Sequence, residues 1–554
     1  MIKIGANKGH GANFLVRQAA ILAAAGIVAR LLGFLYRIPM TALIGDEGNA
    51  IYAVGYNVYN FFLIISAAGL PAAISKLVSE ARAKERYDQA HAIFVTAFFL
   101  ASTVGAVLTA AIFFFAEEIT AALGTRDAYL ALQTLAPTVF IFAMMATIRG
   151  YFQGMSSTVP TALSQLVEQI FNAIFSIVLA HVMWNFALRR GEAELVYGAA
   201  GGTAGTTLGA VAGFIVVAGL YFLVRPEILK ESRLSRGKAQ AKHKDLHDEP
   251  RSQIVKNIAI TSSTIIAGTA IFSIVNLIDT WMVIDRLGHG GFEEVRAREL
   301  FGQLTGKFNP ITNLPAAISS SLALVLIPSI AASRQLGAKK EMHHKINAAF
   351  RAAMLITIPI ALGLGVLGPQ IVALLFPSHP EGGTFFIVGF PSIIFLAVSQ
   401  ISTGVLQAVG KIHVPIIAAL TGAVVKVVVG YFLIAHPAVN IYGAIVGTTL
   451  CYLIAAWINC HFLHKFVGVR LDYKSMALKP VIAATAMAMG CFTMYHLIYG
   501  FVPGNAFAVI AAVLAGMVIY AVFMVIIRGF NADDIRVLPG GEKLAKALRT
   551  KGII

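Results

Sequence analysis

The chain has 554 residues, of which 58% are hydrophobic and only 13% charged, and its mean hydropathy is +0.77. Soluble domains carry about 25% charged residues, so a solvated globular surface is excluded. The formal net charge of +16 would suit a nucleic-acid binder only if it were gathered on one basic face, and its distribution along the chain is different.

Crossing the hydrocarbon core takes about 20 apolar residues. In chain order, segments of that kind lie at 13–44, 49–78, 91–116, 127–154, 159–184, 197–224, 253–286, 301–331, 348–376, 383–409, 412–435, 440–466, 476–500 and 504–528. They predict an all-α polytopic membrane protein with 14 transmembrane helices. The first segment runs on past Arg30 to about Ile44, so it reads as a span and not as a cleavable leader. With the termini and every second loop taken as one face, that face carries 32 Lys and Arg, the opposite loops six and the spans five. The positive-inside rule then places both termini in the cytoplasm.

The first span holds Arg30 and Arg37, seven residues apart and so about 10 Å apart on one helical face. The second ends in Leu-Pro-Ala-Ala-Ile-Ser at 70–75, a hexapeptide that returns at 314–319 in the eighth. Pro71 and Pro315 each remove a backbone donor, which makes them candidates for hinges. Arg149 near the end of the fourth span and Glu168 in the fifth suggest an ion pair across a hairpin. The sixth carries Gly201, Gly205, Gly209 and Gly213, a strip that lets another helix approach closely. The stretch 225–252 is polar, with mixed charge, and reads as a solvated cytoplasmic linker. Beyond it, Asp279, Lys307 and Lys426 lie in the seventh, eighth and eleventh spans.

The repeated hexapeptide, together with Gln153/Pro160 and Gln407/Pro415 at similar offsets, suggests two parallel repeats. The expected organisation is an N-terminal lobe over 1–224, the linker 225–252 and a C-terminal lobe over 253–466. Two further helices over 467–528 and a cytoplasmic tail over 529–554 complete it. Two pseudo-symmetric six-helix lobes thus precede a C-terminal pair.

Each ionisable group inside a span costs about 2.5–3.5 kcal/mol on insertion scales, so it should face a cavity or a partner. Five basic groups (Arg30, Arg37, Arg149, Lys307 and Lys426) face only two acids, Glu168 and Asp279. This balance favours an anionic substrate bearing phosphate, which arginine recognises with a planar fork of donors. Arg30, Arg37, Lys307 and Lys426 are the candidate substrate-binding residues. Arg149, Glu168 and Asp279 are candidates for structural pairing or for ion coupling. Cys451, Cys460 and Cys491 lie in apolar runs without ligand spacing, so neither a metal site nor a disulfide framework is expected. Gly363–Gly368 matches a dinucleotide fingerprint but sits in a span with no preceding strand, and no cofactor is expected.

At these same residues the chain resembles a known family. Ala29 to Ile38, followed by Ile44-Gly45-Asp46-Glu47-Gly48, looks like the first span of the stage V sporulation protein B and MurJ-like transporters. Arg149-Gly150-Tyr151-Phe152-Gln153-Gly154, then Pro160, Ser164-Gln165 and Glu168-Gln169, is similar to that family's most characteristic stretch. The family belongs to the multidrug/oligosaccharidyl-lipid/polysaccharide exporter superfamily. The resemblance implies a bacterial plasma-membrane flippase that is not an enzyme and moves an undecaprenyl-pyrophosphate-linked saccharide, above all lipid II, by alternating access. It further implies that Arg30 and Arg37 belong to a cationic central cavity and that the last two spans help form a groove for the polyprenyl tail. The expected partners are therefore this anionic lipid-linked saccharide and membrane lipids, with a coupling ion left open and no nucleic acid. The alternative within the superfamily is a cation-coupled multidrug antiporter, which would want buried carboxylates in the N-terminal lobe.

Overall fold

The structure is a computed structural model and describes residues 12–242, 250–502 and 504–530. Regular structure among them is helical throughout. The first half comprises α1 (Ala12–Leu35), α2 (Arg37–Leu63), α3 (Leu70–Ala83), α4 (Tyr87–Phe114), α5 (Ala116–Ala122), α6 (Tyr129–Gly154), α7 (Val159–Arg190) and α8 (Glu194–Lys242). There follow α9 (Arg251–His289), α10 (Glu294–Gln303), α11 (Asn309–Gln335), α12 (Lys339–Leu375), α13 (Phe385–Ala408), α14 (His413–Ile434), α15 (Tyr442–Val467), α16 (Lys479–Phe501) and α17 (Asn505–Ile526). Among the described residues, 11 helices are long and apolar enough to cross a membrane. The fold is an all-α polytopic membrane fold. The predicted segments 13–44, 253–286 and 301–331 coincide with helices outside those 11, the first of them contributing the shorter apolar stretch Ala24–Leu35.

Local sequence explains where the helices break. Gly45 lies inside α2 with φ 69° and ψ −172°, a conformation essentially reserved for glycine, and it separates the first predicted segment from the second. Pro71 occupies the first turn of α3, where its missing N–H has no helical partner to lose. The break associated with it precedes it, as a π-helical turn at Ile64–Ala68. A second π turn, Leu304–Phe308, precedes Pro315, which is buried within α11.

The chain forms two compact units, Met1–Trp281 and Met282–Ile554. The boundary falls inside α9 and not in the stretch 225–252, where the sequence places it. The reason lies in the part of α9 that ends at Trp281. Ile254 and Ile258 are buried in the same apolar cluster as Ile74, Val78 and Phe94, and Thr280 accepts a hydrogen bond from Asn57 at 2.9 Å. Gly69 clears the path, since a Cβ there would sit 2.6 Å from the Ser262 carbonyl oxygen.

The linker expectation is corrected as well. α8 continues through Pro226 to Lys242, and only 243–249 lies outside the described residues. The extension is docked: Ile228 is buried, Ser235 donates to the Glu85 carbonyl at 2.9 Å and Glu231 pairs with Arg82 at 3.4 Å. The tail beyond residue 530 and the N-terminal 11 residues, which the charge count assigns to the cytoplasm, lie outside the described residues.

In the first unit, α7 and α8 form the most extensive helix pair. All four glycines of the strip face α7: Gly201 meets Leu179 and Ala180, Gly205 meets Ser176, Gly209 meets Asn172 and Glu168, and Gly213 meets Glu168 and Ser164. Lipid tails are as apolar as leucine, so close packing of small residues substitutes for a hydrophobic driving force between membrane helices. In the second unit, α11 and α12 each pack on α13, α14 on α15, and α16 on both α12 and α17.

Candidate functional site

The candidate ionisable groups of the first unit lie on α1, α2, the α6–α7 hairpin and α9. Arg30 is exposed on α1, a helix that packs along α7. Gly33 brings its backbone against Gln169, and Gln18 accepts from the Thr158 hydroxyl at 2.6 Å. Arg37 opens α2, with its guanidinium 5.8 Å from the centre of the Tyr52 ring. The hydroxyl of Tyr52 lies 3.0 Å from that of Tyr36, and both residues are buried. Tyr56 stacks on Tyr52 at 5.8 Å and meets Tyr59 at 5.5 Å. One face of α2 is therefore a row of phenols beside a cation, an arrangement suited to cation–π contact and hydrogen bonding.

The sequence reading does not single out these tyrosines, of which Tyr36 and Tyr52 are buried. The signal was available in the spacing. Positions 52, 56 and 59 follow the i, i+4, i+7 pattern of one helical face, and Tyr36 adjoins Arg37.

In the hairpin, Arg149 Nη2 donates to Glu168 Oε2 at 2.9 Å and Nε donates to the Ser164 hydroxyl at 3.0 Å. Gln169 adds a bond to the other carboxylate oxygen at 3.4 Å. Gly150 lets α6 meet α3 closely, since a Cβ there would lie 2.8 Å from Pro71 Cα. The neighbouring Tyr151 packs against Phe94 in a tilted pair with ring centres 4.6 Å apart. The characteristic stretch 149–154 thus joins three helices as well as supplying the arginine. Asp279 lies half-buried on α9, next to the Thr280 that Asn57 contacts.

In the second unit, Lys307 sits in the π turn before α11 and is fully buried. Its ammonium donates to the carbonyls of His379 at 2.7 Å and Glu381 at 3.1 Å, and so ties down the loop between α12 and α13. Lys426 is half-buried on α14 where α15 approaches, the Gly447 backbone lying over it.

One buried cation escaped the sequence reading. Arg351, near the start of α12, donates to the Ser475 hydroxyl and to the Gly529 carbonyl, the latter at 2.6 Å. It falls within the predicted segment 348–376, but its place near the end let it be counted with the cytoplasmic charges.

The chain matches the model of the polysaccharide biosynthesis protein family over residues 15–334 and that of MatE over 264–432. It is 25% identical over 527 residues to stage V sporulation protein B of Bacillus subtilis, covering 95% of this chain and 97% of that protein. It is also 25% identical over 533 residues to lipid II flippase MurJ of Bacillus subtilis, covering 92% of this chain and 94% of that one. A solved structure of lipid II flippase MurJ in an inward closed conformation superposes with a TM-score of 0.65 at 17% identity, covering 91% of this chain and 98% of that one.

Proposed function

The chain belongs to the polysaccharide biosynthesis protein family, within the multidrug/oligosaccharidyl-lipid/polysaccharide exporter superfamily, and we propose that it moves a polyprenyl-pyrophosphate-linked saccharide of the lipid II type from the inner to the outer leaflet. Its fold is that of the superfamily's alternating-access transporters, none of which needs covalent chemistry. One observation carries the substrate class: Arg30 and Arg37 stand in the first unit, Arg37 beside the buried phenols of Tyr36 and Tyr52, while Glu168 is taken up by Arg149. A face of arginine and tyrosine offers the planar donors and hydroxyls that suit a pyrophosphate-sugar headgroup. The same pairing takes up Glu168, the carboxylate of the α6–α7 hairpin that a cation-coupled multidrug antiporter would need available to protons or drug cations.

In this reading the 14 predicted segments all span, in two six-helix lobes and a C-terminal pair that shelters the polyprenyl tail, with both termini cytoplasmic. Arg30 and Arg37 contact the headgroup, and Lys426 is a separate substrate-binding candidate of the second unit. Lys307 acts through the loop that it holds, and Pro71 and Pro315, each preceded by a π turn, mark the bending points. Asp279 balances charge on α9.

The test is translocation of a fluorescent lipid II in proteoliposomes. Arg30→Ala and Arg37→Ala should each lower the rate at least about tenfold, the value of one charge-assisted contact of about 1.5–3 kcal/mol, while leaving the melting temperature in place. Undiminished translocation in both variants would remove the cationic site from the mechanism. Export of an organic cation in exchange for protons would favour the antiporter instead.

A further inference from the structure

Three helices of the second unit end around one cavity, on the face that the Lys/Arg count assigns to the cytoplasm. α11 closes through Gly337 (φ 68°) and α13 through Gly410 (φ 73°). Ala338 N–H then donates to the Ser333 carbonyl at 2.9 Å and Lys411 N–H to that of Leu406 at 2.8 Å, the six-to-one bond of a Schellman turn. The two turns, with the end of α15, set Arg334, Lys339 and Lys411 around a cavity of about 310 Å³ whose apolar wall includes Met342, Val409 and Phe466. The Lys411 ammonium lies 4.6 Å from the centre of the Phe466 ring. Nearby, Glu341 is held by Lys345 at 2.6 Å, and among the described residues no carboxylate pairs with Arg334, Lys339 or Lys411.

Cations near helix C-termini often do no more than satisfy the helix dipole. The turn after α6 shows that such a turn does not require one. After α3 and α6 the chain closes in the same way, with Glu85 and Ser156 at positive φ (57° and 61°) and the same six-to-one bonds from Arg86 N–H and Ser157 N–H. There the residue matching Lys411 is Ser157. The arginine matching Arg334 is Arg82, and Glu231 neutralises it at 3.4 Å. Lys411 therefore exceeds what its turn asks for, and among the described residues Arg334 lacks the carboxylate that Glu231 supplies to Arg82. Leu336 and Ile412, each adjacent to a turn, are 82% and 52% exposed. Apolar side chains flanking a basic pocket are what a membrane interface accommodates.

We propose that this cavity binds the phosphate of an anionic glycerophospholipid headgroup from the leaflet on that face. The Arg334 fork and the two ammonium groups hold the phosphate, and Leu336 and Ile412 lie along the lipid. The assignment of face rests on the charge-count topology. The chemistry of the pocket is independent of the transported substrate.

The test is native mass spectrometry of the full chain purified from phosphatidylglycerol-containing membranes. Arg334→Gln/Lys411→Gln should retain about tenfold less phosphatidylglycerol than the wild type, as expected for two surface cations each contributing to one headgroup contact. Lys84→Gln/Arg86→Gln, an equal loss of charge at a first-unit turn, should retain as much as the wild type. Thermal denaturation identifies a misfolded double variant, and Lys339→Gln then serves in its place with a smaller loss. Equal retention in wild type and folded cavity variants overturns the site. In phosphatidylcholine nanodiscs, added phosphatidylglycerol should bind and inorganic phosphate should fail to displace it. Binding of inorganic phosphate without binding of phosphatidylglycerol overturns the lipid assignment.

Discussion

Arg149 and Glu168 meet across the α6–α7 hairpin at 2.9 Å, both largely removed from solvent, with Ser164 taking a second donor of the guanidinium. Breaking a buried pair leaves one uncompensated charge, at a cost of about 3–5 kcal/mol. Glu168→Gln should therefore lower the melting temperature in detergent by several degrees, and Arg149→Met/Glu168→Leu should recover most of that loss. A drop in transport with an unchanged melting temperature in Glu168→Gln would instead mark the carboxylate as a coupling group.

The α7–α8 contact depends on the absence of side chains on one face of α8. Any Cβ at Gly209 would stand 2.6 Å from the Glu168 carbonyl oxygen, and Gly205 faces the Ser176 backbone equally closely. Leucine at 205 should force the two helices apart and abolish recovery of folded protein. Leucine at Gly219, which has nothing within 4 Å of a Cβ, should leave yield and melting temperature near the wild type. Size-exclusion chromatography of the two variants side by side decides the point.

Gly45 interrupts α2 with φ 69° and ψ −172°. That combination lies outside the left-handed helical region that asparagine tolerates, so Ala and Asn should be equally harmful there. Each should cost about 1–3 kcal/mol, read as a lowered midpoint in chemical denaturation. A mild effect of Asn beside a severe effect of Ala would mean that the backbone had moved to the left-handed helical region.

Arg351 ties α12 to the start of the α16–α17 pair through Ser475 and to its end through Gly529, while Lys479 caps the Arg528 carbonyl at 2.8 Å. Replacing Arg351 with Gln should cost about 1–3 kcal/mol for the hydrogen bonds left unmade. Tryptic cleavage at Arg528 should accelerate, because the carbonyl of the next residue loses its donor. Unchanged cleavage would show that Tyr520, bonded to the Leu355 carbonyl at 3.0 Å, suffices to hold the pair.

Much of the molecule was legible in residue order because the bilayer imposes a one-dimensional constraint. Unpaired backbone groups cannot face hydrocarbon, so each long apolar run must be helical, and runs such as 383–409 and 412–435 reappear as α13 and α14 almost residue for residue. The glycine strip announced a close helix contact for the same reason. The strip could not name its partner, and only the packing shows it to be α7.

Other features depended on contacts between residues far apart in the chain. The polar stretch after residue 224 has the composition of a linker, yet Ile228, Glu231 and Ser235 find sites on the α3–α4 turn, and the helix therefore continues. The boundary between units moved into α9 because Ile254, Ile258 and Thr280 are complementary to surfaces formed by residues 57 to 94. Arg351 and Lys307 look alike in sequence to cations destined for solvent or cavity, and their carbonyl partners lie 72 to 178 positions away. Composition and periodicity marked out the 11 helices long and apolar enough to cross a membrane among the described residues, because hydration is a property of each residue taken singly. The tertiary structure decided which charges are spent on the protein itself, because pairing is a property of two.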